Sequence, residues 1–68
     1  MPLIEVTLAE GRTPDQLRAL LGDVHTAVER SLEVPGPSIR VIIREVPPEH
    51  WLSGGQTLAE KAAAATSH

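Results

Sequence analysis

Residues 13–46 read TPDQLRALLGDVHTAVERSLEVPGPSIRVIIREV, and the first part of this segment has the pattern of an amphipathic helix. Apolar side chains recur three and four residues apart, which aligns them in one stripe along a helix. They are Leu17, Leu20, Leu21, Val24, Ala27, Val28 and Leu32. Thr13 suits the N-cap, Pro14 the first helical position and Gln16 the capping box. We expect the helix to end near Glu33, because the PGP sequence that follows cannot continue it.

The last part of the same segment predicts a β-strand from Ser38 to Val46 (SIRVIIREV). Its residues alternate between two faces, with Ile39, Val41 and Ile43 on one and Arg40, Ile42 and Arg44 on the other. Residues 3–8 (LIEVTL) alternate in the same way and predict a first strand. Two strands joined by so long a helical crossover form a β-α-β unit. The strands should therefore be parallel and the crossover right-handed.

The segment after Val46 has a weaker pattern. The two prolines that follow end the strand, and residues 49–55 (EHWLSGG) predict a loop or a short hairpin whose glycines form the tight turn. The tail, Gln56 to His68, contains AAAA and predicts either a frayed helix or a disordered segment. We therefore expect one α/β domain (α+β by some schemes) over residues 1–68, in which residues 59–68 are a frayed or disordered tail.

The composition indicates that a single copy of the chain is marginally stable. A chain of 68 residues buries only about 60% of its unfolded surface, and this one has no cysteine for a disulfide. Trp51 is the only aromatic residue, so the core must be built from Leu, Ile, Val and Ala. A two-stranded sheet with open edges is also unstable alone. These features favour an oligomer, in which the sheets of several copies associate.

The charge and hydropathy patterns argue against several classes of function. The net charge is −3, and acidic and basic residues are interspersed without a basic stripe for nucleic acid. No apolar run approaches the length of a membrane span, and no signal peptide is visible. The absence of cysteine excludes thiol and cysteine–metal chemistry. We expect a soluble cytoplasmic protein that binds neither nucleic acid nor membrane.

Pro2 follows the initiator methionine and is the first candidate catalytic residue. Methionine aminopeptidases remove Met1 before a small residue such as proline, which would leave the Pro2 ring nitrogen as a free secondary amine. An α-amino group ordinarily has a pKa about one unit above neutrality, and burial or nearby cations lower that pKa. Near guanidinium groups, Pro2 would then be a neutral base at working pH. The alternative is that Pro2 only opens a strand, where its missing N–H costs nothing.

Several short motifs, in order, resemble the 4-oxalocrotonate tautomerase family over about residues 2–58. They are Pro2-Leu3-Ile4-Glu5-Val6, Glu10-Gly11-Arg12-Thr13, Ser38-Ile39-Arg40-Val41-Ile42-Ile43, His50-Trp51 and Gly54-Gly55. No single motif is specific, but their combination is. The resemblance implies a β-α-β protomer that assembles as a homohexamer, a trimer of dimers. It also implies an isomerase of unsaturated 2-hydroxy or 2-oxo acids that needs no metal and no cofactor.

The resemblance implies a role for each of five residues. Pro2 resembles the general base, which then acts as general acid and moves one proton between oxygen and carbon. Arg12 resembles the arginine that binds the remote carboxylate of a dicarboxylate substrate, and Arg40 resembles the one that holds the near carboxylate and the 2-oxygen. Trp51 stands where the family usually has phenylalanine, as an apolar wall beside the proline. The backbone N–H of Ala9 has the position of a group that holds substrate through water.

The length of the first strand separates two of these residues. Pro2 lies at the beginning of the strand, and Arg12 follows its end. At about 3.3 Å per residue, the strand holds them roughly 20 Å apart within one chain. A small substrate cannot contact both, so we expect Arg12 to come from a neighbouring subunit if both residues are catalytic.

Each candidate residue also has a purely structural explanation. Arg12 would then be a solvated loop residue, and Arg40 would line a solvent-facing sheet surface together with Arg44. Trp51 would anchor a subunit interface, which is a common use of tryptophan. The histidines show no metal-ligand spacing, and we interpret all three as surface residues; they are His25, His50 and His68.

Four functions remain open from the sequence. The first is a tautomerase that acts on a 2-hydroxydienoate such as 2-hydroxymuconate in aromatic-ring catabolism. The second is a related isomerase recruited to the biosynthesis of a secondary metabolite, which agrees with a pocket reshaped by the bulkier Trp51. The third is a dehalogenase or hydratase of the same superfamily, although no carboxylate here can be assigned to the activation of water. The fourth is a catalytically silent oligomeric binding or scaffold protein that kept the fold.

Overall fold

A computed structural model describes residues 2–66, and its elements follow the predicted β-α-β order. A short hairpin and a second helix form the C-terminal part. The elements are β1 Leu3–Ala9, α1 Pro14–Leu32, β2 Arg40–Val46, β3 Leu52–Ser53, β4 Gln56–Thr57 and α2 Leu58–Thr66. Two 3-10 turns, the Gly36 turn (Gly36–Ser38) and the Pro48 turn (Pro48–His50), precede β2 and β3 respectively.

Helix α1 begins and ends where the sequence predicts. Thr13 Oγ1 accepts a hydrogen bond from the Gln16 N–H at 3.1 Å, and Gln16 Oε1 accepts one from the Thr13 N–H at 2.9 Å. This reciprocal pair is the predicted capping box, and Pro14 follows at the start of the helix. The helix ends at Leu32, because Glu33 takes a left-handed conformation with φ 52° and ψ 48°.

Strands β1 and β2 pair in parallel, with Leu3 opposite Arg40 at one end and Ala9 opposite Val46 at the other. Helix α1 packs against β2 on one face of this sheet. The apolar side chains of that face are half-buried; they are Ile4, Val6, Leu8, Val41 and Ile43. The predicted α/β class, with two parallel strands, one long helix and a C-terminal hairpin, is confirmed.

The opposite face of the sheet, which we call the open face, is exposed. It carries two large apolar side chains, Leu3 at 55% exposure and Ile42 at 44%. An ion pair lies beside them, with Arg44 Nη2 at 3.2 Å from Glu5 Oε1. Within residues 2–66, Ile39 is the one apolar side chain that is buried, at 7% exposure. One copy of the chain therefore covers one face of its sheet and leaves the other available to a second copy.

The overall dimensions show that the molecule is more extended than a compact domain of the same length. The Cα radius of gyration is 15.7 Å, and the molecule measures 49 × 24 × 16 Å. A compact domain of this length has a radius of gyration of about 11 Å. The hairpin and α2 contribute to the extended shape, because α2 packs mainly on the Pro48 turn and β4.

Strand β2 begins at Arg40, two residues later than the sequence predicts. The preceding residues form the Gly36 turn, in which Ser38 is bonded twice to the carbonyl of Pro35. Its N–H donates at 3.0 Å and its hydroxyl at 2.7 Å. The side-chain bond competes with strand pairing, as serine side chains commonly do.

The tail, for which the sequence left open a frayed helix or a disordered segment, forms helix α2. A second capping box begins it: the Glu60 N–H donates to Thr57 Oγ1 at 3.0 Å, and the Thr57 N–H donates to Glu60 Oε1 at 2.8 Å. Alanine has the highest helix propensity, so the AAAA run continues what the cap starts. Residues 67 and 68 lie outside the described part of the chain.

The hairpin between β3 and β4 turns at the two glycines that the sequence indicates. Gly54 has φ 64° and Gly55 has φ 85°. A two-residue hairpin turn of this kind needs positive φ at both positions, which a residue with a side chain adopts at a cost. The turn reverses the chain so that Leu52 pairs with Thr57.

We expect Thr13→Ala to lower the free energy of unfolding by about 1 kcal/mol, because the Gln16 N–H loses its capping partner. Chemical denaturation followed by circular dichroism measures the loss as a lower midpoint. Thr26→Ala is the matched control, since Thr26 is exposed within α1 and makes no cap, and alanine favours the helix there. Equal losses in both variants would show that the cap contributes nothing specific.

We expect Ile42→Lys to weaken association between copies of the chain, because it puts a charge into the apolar part of the open face. Light scattering over a concentration series should show a smaller mass than for the wild type. Ala19→Lys is the control, as Ala19 is exposed on the side of α1 opposite the apolar stripe. An unchanged mass for Ile42→Lys would exclude the open face as the contact surface.

Candidate active site

Pro2 and Arg40 are neighbours at one end of the parallel sheet, which we call the near end. The Arg40 N–H donates to the Pro2 carbonyl at 3.0 Å. Pro2 is half-buried and Arg40 is exposed. Met1, whose removal would free the Pro2 nitrogen, lies outside the described residues. The near end thus holds the predicted base and one of the predicted cations.

The two arginines of β2 have different partners. Arg44 forms an ion pair with Glu5, whose carboxylate compensates its charge. The Arg40 guanidinium instead donates through Nη1 to the carbonyl of Pro37 at 3.0 Å. A carbonyl is neutral, no acidic group within residues 2–66 forms an ion pair with Arg40, and the guanidinium has further N–H donors for a carboxylate. Arg40 therefore fits the recognition of an anionic substrate, whereas Arg44 fits a structural role.

Arg12 lies at the opposite end of the sheet, which we call the far end, in the loop between β1 and α1. The preceding Gly11 has φ 131°, a conformation that residues with a side chain rarely adopt. Glycine is therefore needed to turn the chain just before Arg12. The Arg12 side chain is exposed and, within residues 2–66, has neither a hydrogen bond nor an ion pair. Its guanidinium is available to a group outside its own chain.

Trp51 follows the far end of β2 along the chain, five residues after Val46 and directly after the Pro48 turn, and we assign it to the far end on that ground. Its side chain is half-buried. Its carbonyl accepts a hydrogen bond from the N–H of Leu58, the first residue of α2, at 2.9 Å. This hydrogen bond fixes the backbone of Trp51 against the start of α2. A fixed backbone suits a side chain that forms one apolar side of a binding site.

The backbone N–H of Ala9 points away from β2. The Glu10 N–H donates to the Val46 carbonyl at 2.9 Å, so Glu10 directs its backbone groups toward β2. Successive residues of a strand direct their backbone groups to opposite sides. The Ala9 N–H consequently faces the free edge of β1, at the far end of the sheet.

The five predicted site residues fall into two groups at opposite ends of the sheet. Pro2 and Arg40 form the near-end group, whereas Ala9, Arg12 and Trp51 form the far-end group. The seven residues of β1 separate the groups. At about 3.3 Å per residue this is roughly 20 Å, more than the length of a small dicarboxylate. No single chain can place all five around one substrate.

The interpretation of His25 as a surface residue holds only in part. His25 is half-buried, and its Nε2 lies 3.1 Å from the carbonyl oxygen of Gly36. It also lines an open groove of about 470 Å³ between α1 and β2. Its place beside the apolar stripe, one turn after Leu21, was a visible signal. His50 is exposed, as predicted, and His68 lies outside the described residues.

Two features of other classes of protein are absent from residues 2–66. No group of three or more His, Cys, Asp or Glu side chains is placed to hold a metal ion. No helix in this range is both long and apolar enough to cross a membrane.

Residues 2–61 match the protein family described as tautomerase enzyme. The chain belongs to the tautomerase family. A 2-hydroxymuconate tautomerase of Pseudomonas putida is 41% identical to it over 61 residues, which are 90% of this chain and 95% of that protein. The chain is accordingly an isomerase, and its resemblance to 4-oxalocrotonate tautomerases is confirmed.

Solved structures of the same family share the fold. TomN, a 4-oxalocrotonate tautomerase homologue in the tomaymycin biosynthetic pathway, superposes with a TM-score of 0.91 at 43% identity. The match covers 96% of this chain and 100% of TomN. A heterohexameric 4-oxalocrotonate tautomerase from Chloroflexus aurantiacus gives a TM-score of 0.85 at 40% identity, over 88% of this chain and 97% of its own.

Proposed function

We propose that this tautomerase converts 2-hydroxydienoates such as 2-hydroxymuconate into unsaturated 2-oxo acids, without a cofactor, and that Pro2 is its base and acid. The observation that carries the proposal is the near end of the sheet, where Pro2 stands beside Arg40, which has no ion-pair partner within residues 2–66, in a chain of the tautomerase family. The 2-hydroxymuconate tautomerase of Pseudomonas putida, 41% identical, supports the substrate class.

The proposed reaction moves one proton and rearranges two double bonds. The neutral Pro2 amine takes the proton of the 2-hydroxyl group, and the oxygen becomes a carbonyl. The electron pairs shift along the diene, and the carbon at its far end takes the proton back from the Pro2 ammonium. One O–H bond is broken and one C–H bond is formed. An amine of low basicity suits both transfers, because neither is steeply uphill.

The guanidinium groups stabilise the charge that develops on the substrate. Arg40 holds the near carboxylate and the 2-oxygen, where negative charge grows in the transition state. Arg12 binds the remote carboxylate with two parallel N–H···O bonds and draws electron density toward it. The same positive charges disfavour the protonated form of Pro2 and so lower the pKa of its amine. Trp51 forms an apolar side of the site, and the Ala9 N–H binds the substrate through a bridging water molecule.

The site is proposed to lie between subunits of a homohexamer, a trimer of dimers. The near-end and far-end groups are one strand length apart in a single chain, so a complete site needs at least two copies. The exposed apolar residues of the open face supply surface for that association. The related enzyme of Chloroflexus aurantiacus is a heterohexamer, which supports six subunits for this chain as well.

We expect Pro2→Ala to reduce kcat/KM for 2-hydroxymuconate by about 10²- to 10⁴-fold, because the cyclic base is lost. Alanine is also small, so methionine removal proceeds in the variant and only the kind of amine changes. Ultraviolet absorption of the diene follows the reaction, and intact mass measurement of both proteins verifies the processed N-terminus. A variant as active as the wild type, or an active wild type that retains Met1, would contradict the mechanism.

Mixing two inactive variants tests whether the site is shared. Pro2→Ala and Arg12→Ala are each expected to lose most activity. After unfolding together and refolding, about a quarter of the sites should combine an intact Pro2 with an intact Arg12 from a different chain, if the subunits assort at random. We expect the mixture to regain activity toward that fraction of the wild-type value. If both residues of a site came from one chain, the mixture would stay inactive.

A second candidate function is an isomerase step in the biosynthesis of a secondary metabolite. TomN, which belongs to the tomaymycin biosynthetic pathway, aligns over 96% of this chain, and this supports the alternative. Trp51 is larger than the phenylalanine usual in the family, which would reshape the pocket for another substrate. The same assay separates the two functions, since a wild type with a processed Pro2 but no activity on 2-hydroxymuconate would favour the biosynthetic role.

A further inference from the structure

His25 connects α1 to the segment that leads into β2. Its Nε2 lies 3.1 Å from the Gly36 carbonyl oxygen, which can only accept, so Nε2 carries the proton and donates. His25 is half-buried on the helix, and its partner lies 11 positions away in sequence. The contact therefore fastens the Gly36 turn to a rigid element of the fold.

The side chains of Glu29 and His25 lie against Gly36. A Cβ atom on Gly36 would lie 2.8 Å from Glu29 Oε2 and 3.4 Å from His25 Cε1. The first atom is the end of a flexible, exposed glutamate side chain, which can move aside, and the second distance is an ordinary van der Waals contact. His25 therefore approaches Gly36 with its ring as well as through its hydrogen bond.

The Gly36 turn also contacts Arg40. The carbonyl of Gly36 accepts a second bond, from the Ile39 N–H at 3.1 Å, which closes the turn just before β2. The next carbonyl, that of Pro37, accepts the bond from Arg40 Nη1 at 3.0 Å. The carbonyl that accepts from His25 and the carbonyl that accepts from the Arg40 guanidinium belong to consecutive residues, Gly36 and Pro37.

We propose that His25 is a positioning residue for Arg40, acting through the Gly36 turn. The proposal rests on the proposed function, in which Arg40 binds the near carboxylate and the 2-oxygen of the substrate. An arginine side chain loses considerable rotamer freedom when it binds. A turn fixed by His25 holds the Pro37 carbonyl in place, so part of the ordering of Arg40 is complete before substrate arrives.

The kinetic test compares two substitutions of His25. His25→Leu keeps an apolar side chain of similar size beside Gly36 but removes the donor. His25→Gln keeps an N–H donor at a similar reach. We expect kcat/KM for 2-hydroxymuconate to fall about 3- to 12-fold in the leucine variant, within the range for one lost hydrogen bond, and to stay within about twofold of the wild type in the glutamine variant.

A double-mutant cycle with Arg40→Ala shows whether the effect passes through Arg40. In the Arg40→Ala background, His25→Leu should cause no further loss of kcat/KM, because the group that it positions is already absent. The same fold-loss in both backgrounds would mean that His25 only stabilises the fold, and it would overturn the proposal. An unchanged kcat/KM for His25→Leu in the wild-type background would overturn it as well.

Hydrogen exchange gives a readout that does not depend on activity. The amides of Ser38, Ile39 and Arg40 should exchange faster in His25→Leu than in the wild type and at the wild-type rate in His25→Gln. Equal exchange in all three proteins would overturn the proposal even if the wild type proved inactive. Failure of the proposed function would appear separately, as a processed wild type without tautomerase activity whose turn still loosens in the leucine variant.

Discussion

The parallel pairing of β1 and β2 is the constraint on which the rest of the molecule depends. Because both strands run the same way, both begin at the near end and both finish at the far end. Pro2 and Arg40 are consequently fixed together, and Ala9, Arg12 and Trp51 are fixed one strand length away. An antiparallel pair would have put the end of one strand beside the start of the other. The proposed shared site is a direct consequence of this direction.

The stability of the fold and the proposed active site both require several copies of the chain to associate. Helix α1 covers one face of the sheet, whereas the open face keeps Leu3 and Ile42 exposed. Ile39 alone is buried within residues 2–66, which is too little for an independent core. Covering the open face and completing the proposed shared site both require association with other copies of the chain.

Local signals in the sequence were sufficient for the main elements of the fold. Thr13, Pro14 and Gln16 located the start of α1, because a capping box is encoded within four consecutive residues. The alternation of apolar and polar residues located both strands. Thr57 and Glu60 have the same capping spacing and begin α2, whereas the alanine run alone left open a frayed helix or a disordered segment.

Contacts between residues that are distant in sequence could not be predicted from local sequence patterns. His25 meets Gly36 only because the chain turns back after α1, and no short pattern encodes that meeting. The shift of the start of β2 has the same origin, in bonds to Pro35. For the site, the sequence suggested which residues to consider and that Pro2 and Arg12 lie far apart. Only the three-dimensional structure shows that, within residues 2–66, Arg44 pairs with Glu5 whereas Arg40 has no ion-pair partner.

The near-absence of a core in one copy has a consequence for the cell. Where a chain is stable only after it meets others, the fraction in working form follows the law of mass action. We expect the catalytic activity per molecule to rise with the concentration of the protein. Halving the gene dosage at concentrations near the dissociation constant of the oligomer would therefore remove more than half of the total activity. Promoter strength would then set both how much protein is made and how much of it works.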